Sequence, residues 1–565
     1  MQQSFRQSMT WLHTWFGLVL GYVLMVAFFF GALSVFDREI DRWATPHTRF
    51  EPRPMPSYDA MLAPIFKQIV PEAHELDEAR SRVGTLAPTL PVMNWAAYTT
   101  HRDPVLRLFA EFAITNNPND PDDHVHGTLT IDPRNGTVLP HDQLKIGSEF
   151  FYPLHFSLHL EWKQLGYWIV ALAALVMMAA LVSGVVMHRR ILRELFTFRP
   201  HKHTRRSVLD LHNLTGVVAL PFHFVFALSG LTIFAGIYLP VSETMFKPQA
   251  QAHAMAEAKT KGVAFRPAGV AAPLASVDAM VVEAKRRWDA RGMPGEVGFL
   301  VVNHVGDVNS YVSIYRAGSD RVALVGQAVH FDGPSGRVVH EEPPSSAVAG
   351  VNEFLTGLHL QHFKHWLLRW FYVLGGLLGC VCIATGFLFF VEKRKRMHAS
   401  TGVSGARWVD ALAVTAVSGM VLAALSMLVV NRVLPADLAG RADWEKGAFW
   451  AAWVLALLHA LWRSAPVQQA RIAPAWREQC WAVVLLAVSA VLLNWITTGD
   501  HLLATLGRAY WPVAGFDLAL LVSAGLAAFA ALHLRRRERQ ALAQPLAEPV
   551  DEPTTTSAAP EAVRA

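Results

Sequence analysis

The chain has 565 residues, of which 52% are hydrophobic and only 17% are charged, and its mean hydropathy is +0.26. This composition excludes an ordinary soluble domain and a disordered chain, and it indicates a polytopic membrane protein. The net charge of +5 is modest, and in such a protein the positions of the basic residues report topology. Three cysteines, Cys380, Cys382 and Cys480, lie in apolar runs and give no disulfide framework and no thiolate metal site.

Eight apolar stretches are long enough to cross the hydrocarbon core, which takes about 20 residues of helix. They are predicted near residues 12–36, 165–187, 212–238, 366–391, 409–430, 447–463, 479–498 and 511–533. The first is expected to remain as an anchor, because its apolar run is longer than that of a signal peptide and no Ala-x-Ala site follows it. The predicted fold is therefore an α-helical membrane protein with about eight transmembrane helices.

Basic residues follow three of these stretches. They are concentrated in segments 188–206, 393–396 and 535–537, which fall on one side of the membrane if all eight spans are real. By the positive-inside rule that side is the cytoplasm. Both termini are then expected in the cytoplasm, and the segments 37–150 and 239–350 are expected outside, which is the periplasm if the cell is Gram-negative.

The two outer segments are too long to be simple loops, and they end in the same pattern. Residues 129–138 and 329–338 each show an apolar alternation, an aspartate, a turn with a glycine and a second alternation. This is typical of a β-hairpin in which the aspartate caps the turn and the glycine takes a positive φ. Residues 57–70 and 276–289 have helical spacing, so each insertion is predicted to be an α+β unit. The pattern fits a scaffold as well as a substrate-contacting surface.

The chain is accordingly divided into seven parts. They are a first span (1–36), a first outer domain (37–150), two spans joined by a basic loop (151–238), a second outer domain (239–350), a fourth span (351–400), four additional spans (401–535) and a cytoplasmic tail (536–565). The tail is expected to be disordered, because its last residues are rich in Pro, Ala, Glu and Thr.

The first 400 residues contain an internal duplication with an offset of about 200. His13 and His212 each open a span, and glycines follow at equal spacings, Gly17 and Gly31 in one copy and Gly216 and Gly230 in the other. Three more pairs share the offset: Asp132 with Asp332, Gly136 with Gly336, and His159 with His359. A glycine on the same helix face as a histidine lets a flat macrocycle approach the backbone. The duplication therefore predicts haem ligands at two depths.

Further histidines remain alternatives as ligands. His155 lies one turn before His159, His362 follows His359, and His188 ends the second span. His223 lies inside the third span, eleven residues after His212, and an ionisable residue at that depth is a functional hypothesis by default. For any single histidine at a membrane boundary, an amphipathic side chain that reaches the headgroups explains the position as well.

Haem is preferred to a bare metal ion. Neutral imidazoles from separate helices suit iron porphyrin, whereas zinc or non-haem iron normally brings thiolates or carboxylates, and the predicted spans contain few acidic residues. No glycine-rich nucleotide-binding motif opens a cytoplasmic helix, and no nucleic-acid partner is expected. Electrons must then come from a separate donor, either membrane quinol or a cytoplasmic reductase.

Several spaced motifs resemble those of the PepSY-associated transmembrane family. They are Ser183-Gly184, Phe196-Thr197-Phe198-Arg199-Pro200, residues 210–216 around His212, Pro221-Phe222-His223, Arg369-Trp370 and Ala384-Thr385-Gly386. The resemblance covers about residues 1–400. It implies PepSY-like outer domains and an iron-regulated inner-membrane protein, and some family members are di-haem ferric-siderophore reductases. It also implies two haem b groups, with axial ligands carried to His13, His212, His159 and His359.

The expected function is inner-membrane, haem-dependent electron transfer that reduces a ferric siderophore in the periplasm. One haem is expected between His13 and His212, and the other between His159 and His359, with His155 or His362 as substitutes. Two other functions stay open. The PepSY units could restrain a periplasmic protease or peptide without catalysis, or the chain could be an accessory subunit of an iron or siderophore permease.

Overall fold

The structure is a computed structural model and describes residues 2–51, 57–65, 68–100, 103–115, 123–139, 145–187, 204–238, 240–323, 327–401, 405–463 and 473–543. Its helices and strands form three parts. These are a core of four spans, a domain built on one β-sheet, and a C-terminal helical unit.

Two of the four core spans are bent, and the bends are equivalent. The first span consists of α1 (Gln2–Val19) and α2 (Gly21–Ser34), and the third of α8 (Thr204–Val218) and α9 (Leu220–Ile233). The helix axes turn by 59° and 60° at these breaks. Leu20 and Ala219 have the same backbone conformation there, with φ of −92° in both. In the third span, Pro221 lies in the first turn of α9 and cannot continue the preceding helix. Because both copies bend at the same place, the bend belongs to the repeat.

The other two core spans are single helices. They are α7 (Leu165–Met187) and α14 (Trp366–Thr401), and a short helix precedes each on the side of the sheet, α6 (Tyr152–Phe156) and α13 (Ala347–Leu360). Helix α7 packs against α1, α2 and α9, and α14 packs against α2 and α8. The four spans therefore enclose a common interior.

The number of spans is smaller than predicted. Five helices and the two bent pairs are long and apolar enough to cross a membrane, which gives up to seven spans in the part of the chain that is described. The predicted span 447–463 is helix α17 (Arg441–Arg463), which is not among them. Its first turns carry Arg441, Asp443, Glu445 and Lys446, which lowers its apolarity. A polytopic membrane protein is confirmed, and the count of eight is not.

The two outer segments do not form two separate domains, because their strands join in one antiparallel sheet. The strand order is β3-β2-β1-β4-β5-β6-β7, with bounds β1 (Val92–Thr100), β2 (Asp103–Ala113), β3 (His124–Ile131), β4 (Val297–Asn303), β5 (Tyr311–Arg316), β6 (Ala328–Asp332) and β7 (Val338–Glu341). Strands β1 and β4 pair at the centre, with Ala97 opposite Leu300. Each insertion covers the edge strand of the other, so both halves fold as one body.

Helices from both insertions pack on this sheet. They are α4 (Tyr58–Ile65), α5 (Ala73–Val83) and α12 (Val277–Ala290), while α10 (Ala235–Tyr238) and α11 (Pro240–Lys261) lead from the third span to the sheet. Trp288, Leu300 and Phe331 are fully buried in the shared core. The α+β class predicted for the insertions matches, with α4 and α12 close to the predicted helical segments.

The repeated turn forms as predicted. Gly136 and Gly336 have φ values of +74° and +67°, where an L side chain would be strained. Asp132 accepts a hydrogen bond from the Arg134 backbone N–H at 2.9 Å, and Asp332 accepts one from the Ser335 N–H at 3.0 Å. Each aspartate therefore caps its own turn.

The C-terminal helical unit forms hydrogen bonds with the segment that follows the first span. Its helices are α15 (Gly405–Val414), α16 (Met420–Val433), α17, α18 (Pro474–Thr498), α19 (Leu502–Gly507) and α20 (Trp511–Ala543). Trp43 in α3 (Asp37–Ala44) is fully buried and donates from Nε1 to Asp517 of α20 at 2.8 Å. Arg49 donates to Asp500 at 2.9 Å and to Asn494 at 2.7 Å. These polar bonds dock the unit on the core.

Part of the predicted tail is helical in the structure. Helix α20 runs to Ala543, because the charged segment after the last span continues its helix past the membrane boundary. Residues 544–565 lie outside the described residues.

Candidate functional site

His13 of α1 and His212 of α8 face each other at the end of the core away from the sheet. Their ring centroids are 6.1 Å apart and their ring planes are nearly perpendicular. An imidazole binds a transition metal at about 2 Å through one nitrogen, so two imidazoles on opposite sides of one metal have centroids about 6 Å apart. The duplication correctly places these two histidines together, and we call them the inner pair.

A second pair lies near the sheet and consists of His155 of α6 and His359 of α13. Their ring centroids are 6.0 Å apart, with an angle of 37° between the ring planes. We call them the outer pair. The spacing is again the one expected for two axial ligands of one metal, and it recurs at the other end of the same four spans.

His159 does not face His359, so the predicted pairing of these two residues differs from the structure. Leu158 and His159 both have a φ of +54°, which turns the chain back on itself after α6. The His159 Nε2 then hydrogen-bonds the Phe150 carbonyl at 2.9 Å, and its ring stacks on the Phe150 ring at 4.7 Å. The alternative, His155, occupies the position opposite His359.

All four paired histidines hold Nδ1 in a hydrogen bond to an oxygen of a neighbouring span. His13 bonds the Ala180 carbonyl at 3.1 Å, and His212 bonds the Cys382 carbonyl at 2.8 Å. His155 bonds the Ala27 carbonyl at 2.8 Å, and the His359 Nδ1 lies 2.9 Å from the Ser229 hydroxyl. An Nδ1–H bonded to a carbonyl fixes the tautomer in which Nε2 carries the free lone pair. The four bonds named here all use Nδ1 and none uses Nε2.

A glycine on a neighbouring helix lies under each of the four rings. A Cβ added at Gly31 would fall 2.7 Å from the His155 Nδ1, and one at Gly230 would fall 3.0 Å from the His359 ring. The inner pair is less tight, with 3.4 Å from Gly386 to His212 and 3.6 Å from Gly184 to His13. The three carbonyls named above, of Ala27, Ala180 and Cys382, each belong to the residue four before the glycine under that ring. The missing side chain therefore opens the path from the imidazole to that carbonyl.

A cavity surrounds the outer pair between the core spans. Residues from all four core spans line it. His155 and His359 both line it, and apolar residues flank them on both sides, among them Phe28, Phe222, Phe226, Ala171, Ala174, Met177 and Phe234. No Asp, Glu, Lys or Arg is part of this lining.

The donor set and its surroundings fit haem. No group of three or more His, Cys, Asp or Glu side chains able to hold a metal ion occurs in the described part of the chain, so a bare ion would have only two protein ligands. A porphyrin supplies four nitrogens and needs only the two axial imidazoles. The ring spacing and the glycines of both pairs match that need, and so does the apolar cavity around the outer pair.

The remaining predicted histidines are not part of either pair. His223 is buried and bonds the Gly375 carbonyl of α14 through Nε2 at 3.1 Å, while its ring packs against Phe28. It therefore ties the third span to the fourth. His362 is exposed and does not line the cavity. His188 lies outside the described residues.

Gly31 and Gly230, which were predicted from the duplication, lie under the rings of the outer pair, whereas the glycines under the inner pair were not predicted as such. Gly17 has open space around it and Gly216 lies next to the Cys382 sulfur, so neither carries a histidine ring as expected. The glycines that lie under the two rings of the inner pair, Gly184 and Gly386, are on the neighbouring spans. A usable signal is present, since a hydroxyl residue precedes three of the four glycines: Ser183, Ser229 and Thr385.

The comparisons with known proteins agree with this core. The uncharacterized protein PA4219 of Pseudomonas aeruginosa is 28% identical over 326 residues, which cover 54% of this chain and 78% of that protein. The family model described as the PepSY-associated TM region matches residues 10–393. That range contains all four paired histidines and their glycines. The chain belongs to the PepSY-associated TM family.

Proposed function

We propose that this protein carries electrons across a membrane through two b-type haems. His13 and His212 would be the axial ligands of the inner haem, and His155 and His359 those of the outer haem. The observation that carries the proposal is the repeated geometry. Two histidine pairs lie about 6 Å apart between ring centroids, and every Nδ1 is held by a neighbouring span.

When bound between the imidazoles of a pair, each haem would supply a one-electron carrier, and a pair of imidazoles suits electron transfer better than oxygen activation. The chain's own groups do the rest. The carbonyls of Ala27, Ala180 and Cys382 orient the imidazoles and raise their basicity toward iron. The apolar lining around the outer pair excludes water. The bent spans place the two pairs about 20–25 Å apart, from the helix rise and the bend angle.

The charge distribution supports a direction for the electrons. The basic residues Arg205, Arg206, Lys393 and Arg535 to Arg537 lie at span ends away from the sheet, and such residues favour the cytoplasmic side. The sheet would then be periplasmic, in a bacterial inner membrane with both termini in the cytoplasm. Quinol or a cytoplasmic reductase would donate electrons at the inner pair.

The acceptor we propose is ferric iron held by a siderophore in the periplasm, in keeping with the family resemblance. One electron from the donor reduces Fe³⁺ to Fe²⁺ in the chelate, which weakens its binding by hard oxygen ligands. The chelate has only to come near the outer pair, which lies at the sheet end of the core. The protein would act in iron acquisition.

The test is a haem count with histidine variants. Purified full-length protein from haem-replete cells should contain about two haems per chain by pyridine haemochrome assay, each low-spin and bis-imidazole. His212→Ala and His359→Ala should each remove about one, whereas His533→Ala, at an exposed position outside both pairs, should remove none. Reduced protein should then form a ferrous chelate that ferrozine traps. Colourless wild-type protein would refute the proposal.

A further inference from the structure

The cavity around the outer pair has one polar end. Gln361 follows His359 in the chain, Tyr372 lies two turns into α14, and Ser34 ends α2, and all three line the cavity. Ser34 already donates to the Phe30 carbonyl at 2.6 Å. Tyr152 and Tyr238 line the cavity as well, but their hydroxyls are not among the buried atoms without a partner.

Tyr372 and Gln361 both carry a buried polar atom without a partner. The Tyr372 hydroxyl and the Gln361 Oε1 are buried and make no hydrogen bond among the described residues. Tyr372 is 5% exposed. An unpaired buried polar atom costs as much as a lost hydrogen bond. Two of them at one end of one cavity indicate a bound group that would satisfy them.

The backbone of Gln361 has an unusual conformation. Gln361 has a φ of +58°, a left-handed conformation that is unfavourable for a residue with a side chain. Its N–H bonds the Gly357 carbonyl at 3.0 Å and ends α13. Glycine would fit that helix end without strain, so the side chain at this position needs another reason. It projects into the cavity that also holds His359.

The surroundings limit what the bound group can be. Tyr372 packs against Phe222 and Phe226, and Phe226 packs against His359, with ring centroids 5.1–5.7 Å apart. Arg369, one turn before Tyr372, is occupied by Glu39 and by the Val35 carbonyl, so it offers no free charge. Only neutral donors are then left for the group, the Tyr372 hydroxyl and the Gln361 –NH2. Because Oε1 can only accept, the Gln361 amide must flip so that its –NH2 takes the place of the unpaired Oε1.

We propose that Tyr372 and Gln361 bind a carboxylate of the outer cofactor, a propionate of the porphyrin. The inference rests on the proposed function, since it needs a haem between His155 and His359. The hydroxyl and the amide donate to the carboxylate and fix the rotation of the macrocycle about the axis through the two imidazoles. The propionates then lie at the sheet end of the slot, nearest to the proposed acceptor.

The experiment measures haem release from the purified holoprotein to excess apomyoglobin. Release is expected in two kinetic phases, one for each haem, and the phase that His155→Ala abolishes belongs to the outer haem. Tyr372→Phe and Gln361→Leu should each speed that phase by on the order of tenfold, the effect of one hydrogen bond to a charged group, and leave the inner phase unchanged. Tyr238→Phe, in the same cavity but with no orphaned hydroxyl, should change neither phase.

Resonance Raman spectra give the second readout. One of the two haems should show a shifted propionate bending mode in Tyr372→Phe, with both haems still present and low-spin. Unchanged release and unchanged propionate modes in both variants would overturn this inference while leaving the two-haem proposal intact. An equal effect of Tyr238→Phe would also overturn it, because loose packing would then explain the release. Wild-type protein without haem would reject the proposed function itself.

Discussion

His155 and His359 line the same cavity with ring centroids 6.0 Å apart, and each ring is bonded through Nδ1 to its own neighbouring span. Nearly the same ring spacing and the same kind of Nδ1 bond are found for His13 and His212 at the other end of the core. The repeat thus preserves a pair geometry, although the residues that make it are not at identical offsets in the chain.

His155, and not His159, should be required for the outer haem. We expect His155→Ala to lower the haem content from about two to about one per chain, because one axial ligand is lost. His159→Ala, one turn away, should keep both haems, since its Nε2 is committed to the Phe150 carbonyl. Haem and protein assays on the two purified variants decide the point. Loss of haem in His159→Ala alone would contradict the assignment.

Substitution of the four cradle glycines by alanine should damage the sites in a fixed order. The distances from an added Cβ to the histidine ring are 2.7 Å at Gly31, 3.0 Å at Gly230, 3.4 Å at Gly386 and 3.6 Å at Gly184. Because contacts below about 3 Å force the ring to move, Gly31→Ala should lose the outer haem, while Gly184→Ala should keep the inner one. Gly17→Ala, with open space around it, is the matched control. Haem content and low-spin spectra measure the series.

The duplication alone predicts the inner pair correctly, but for the outer pair it selects the wrong histidine. Gly136 and His155 are separated by 19 residues and Gly336 and His359 by 23, so the second copy is four residues longer in this stretch. Four residues are about one helical turn, and another histidine, His159, lies at that distance. A match at constant offset therefore selects His159, and only the reversal of the chain at Leu158 shows that its ring points elsewhere.

Local patterns predicted the strands and turns but not the shared sheet. Alternation and the Asp-to-Gly turn depend on neighbours in the chain, and Gly136 and Gly336 adopt the expected φ. The pairing of Ala97 with Leu300 joins residues about 200 apart, and the same alternation is compatible with two separate sheets. Likewise, the glycine that carries each imidazole is on another span, so its role becomes visible only once the helices are packed.

The outer domain should lose stability in acid through Glu342. Its carboxylate accepts from His330 at 3.3 Å and from Lys261 at 2.8 Å, and these bonds, first the one from His330, lower the pKa of Glu342 from 4.5 to about 2. A lowered pKa means stabilisation that is full above pH 4.5 and is lost as the pH falls toward 2. Because the side chain is partly exposed, we expect on the order of 1–3 kcal/mol.

Glu342→Gln should therefore destabilise the domain at pH 7 and match the wild type near pH 2 to 3. Hydrogen exchange in β5, β6 and β7, compared between variant and wild type at each pH, measures the difference. Glu296→Gln, at an exposed carboxylate of the same domain, should behave like the wild type at both pH values. A Glu342→Gln defect of equal size at both pH values would show that packing, and not charge, holds this corner together.

Cys382 should tune the redox potential of the inner haem. Its sulfur lies 3.6 Å from the His212 Nδ1, next to the carbonyl of the same residue that accepts the Nδ1–H bond. A thiol is a weak acceptor, and a hydroxyl is a stronger one. Cys382→Ser should therefore make the imidazole more electron-rich, stabilise ferric iron and lower the midpoint potential by about 20–60 mV, the equivalent of one hydrogen bond.

The matched control is Cys380→Ser, the same chemical change two residues earlier on α14, at a buried position for which no contact with a paired histidine is found in the described residues. It should leave both potentials unchanged within a few mV. Spectroelectrochemical titration of the two purified variants resolves the inner from the outer haem, because His155→Ala identifies the outer wave. A shift of the outer wave in Cys382→Ser, or equal shifts in both serine variants, would contradict this role. A selective drop of the inner potential would mean that the residues around Nδ1 give the two duplicated sites different redox potentials. The lower potential at the donor end would then favour outward electron flow.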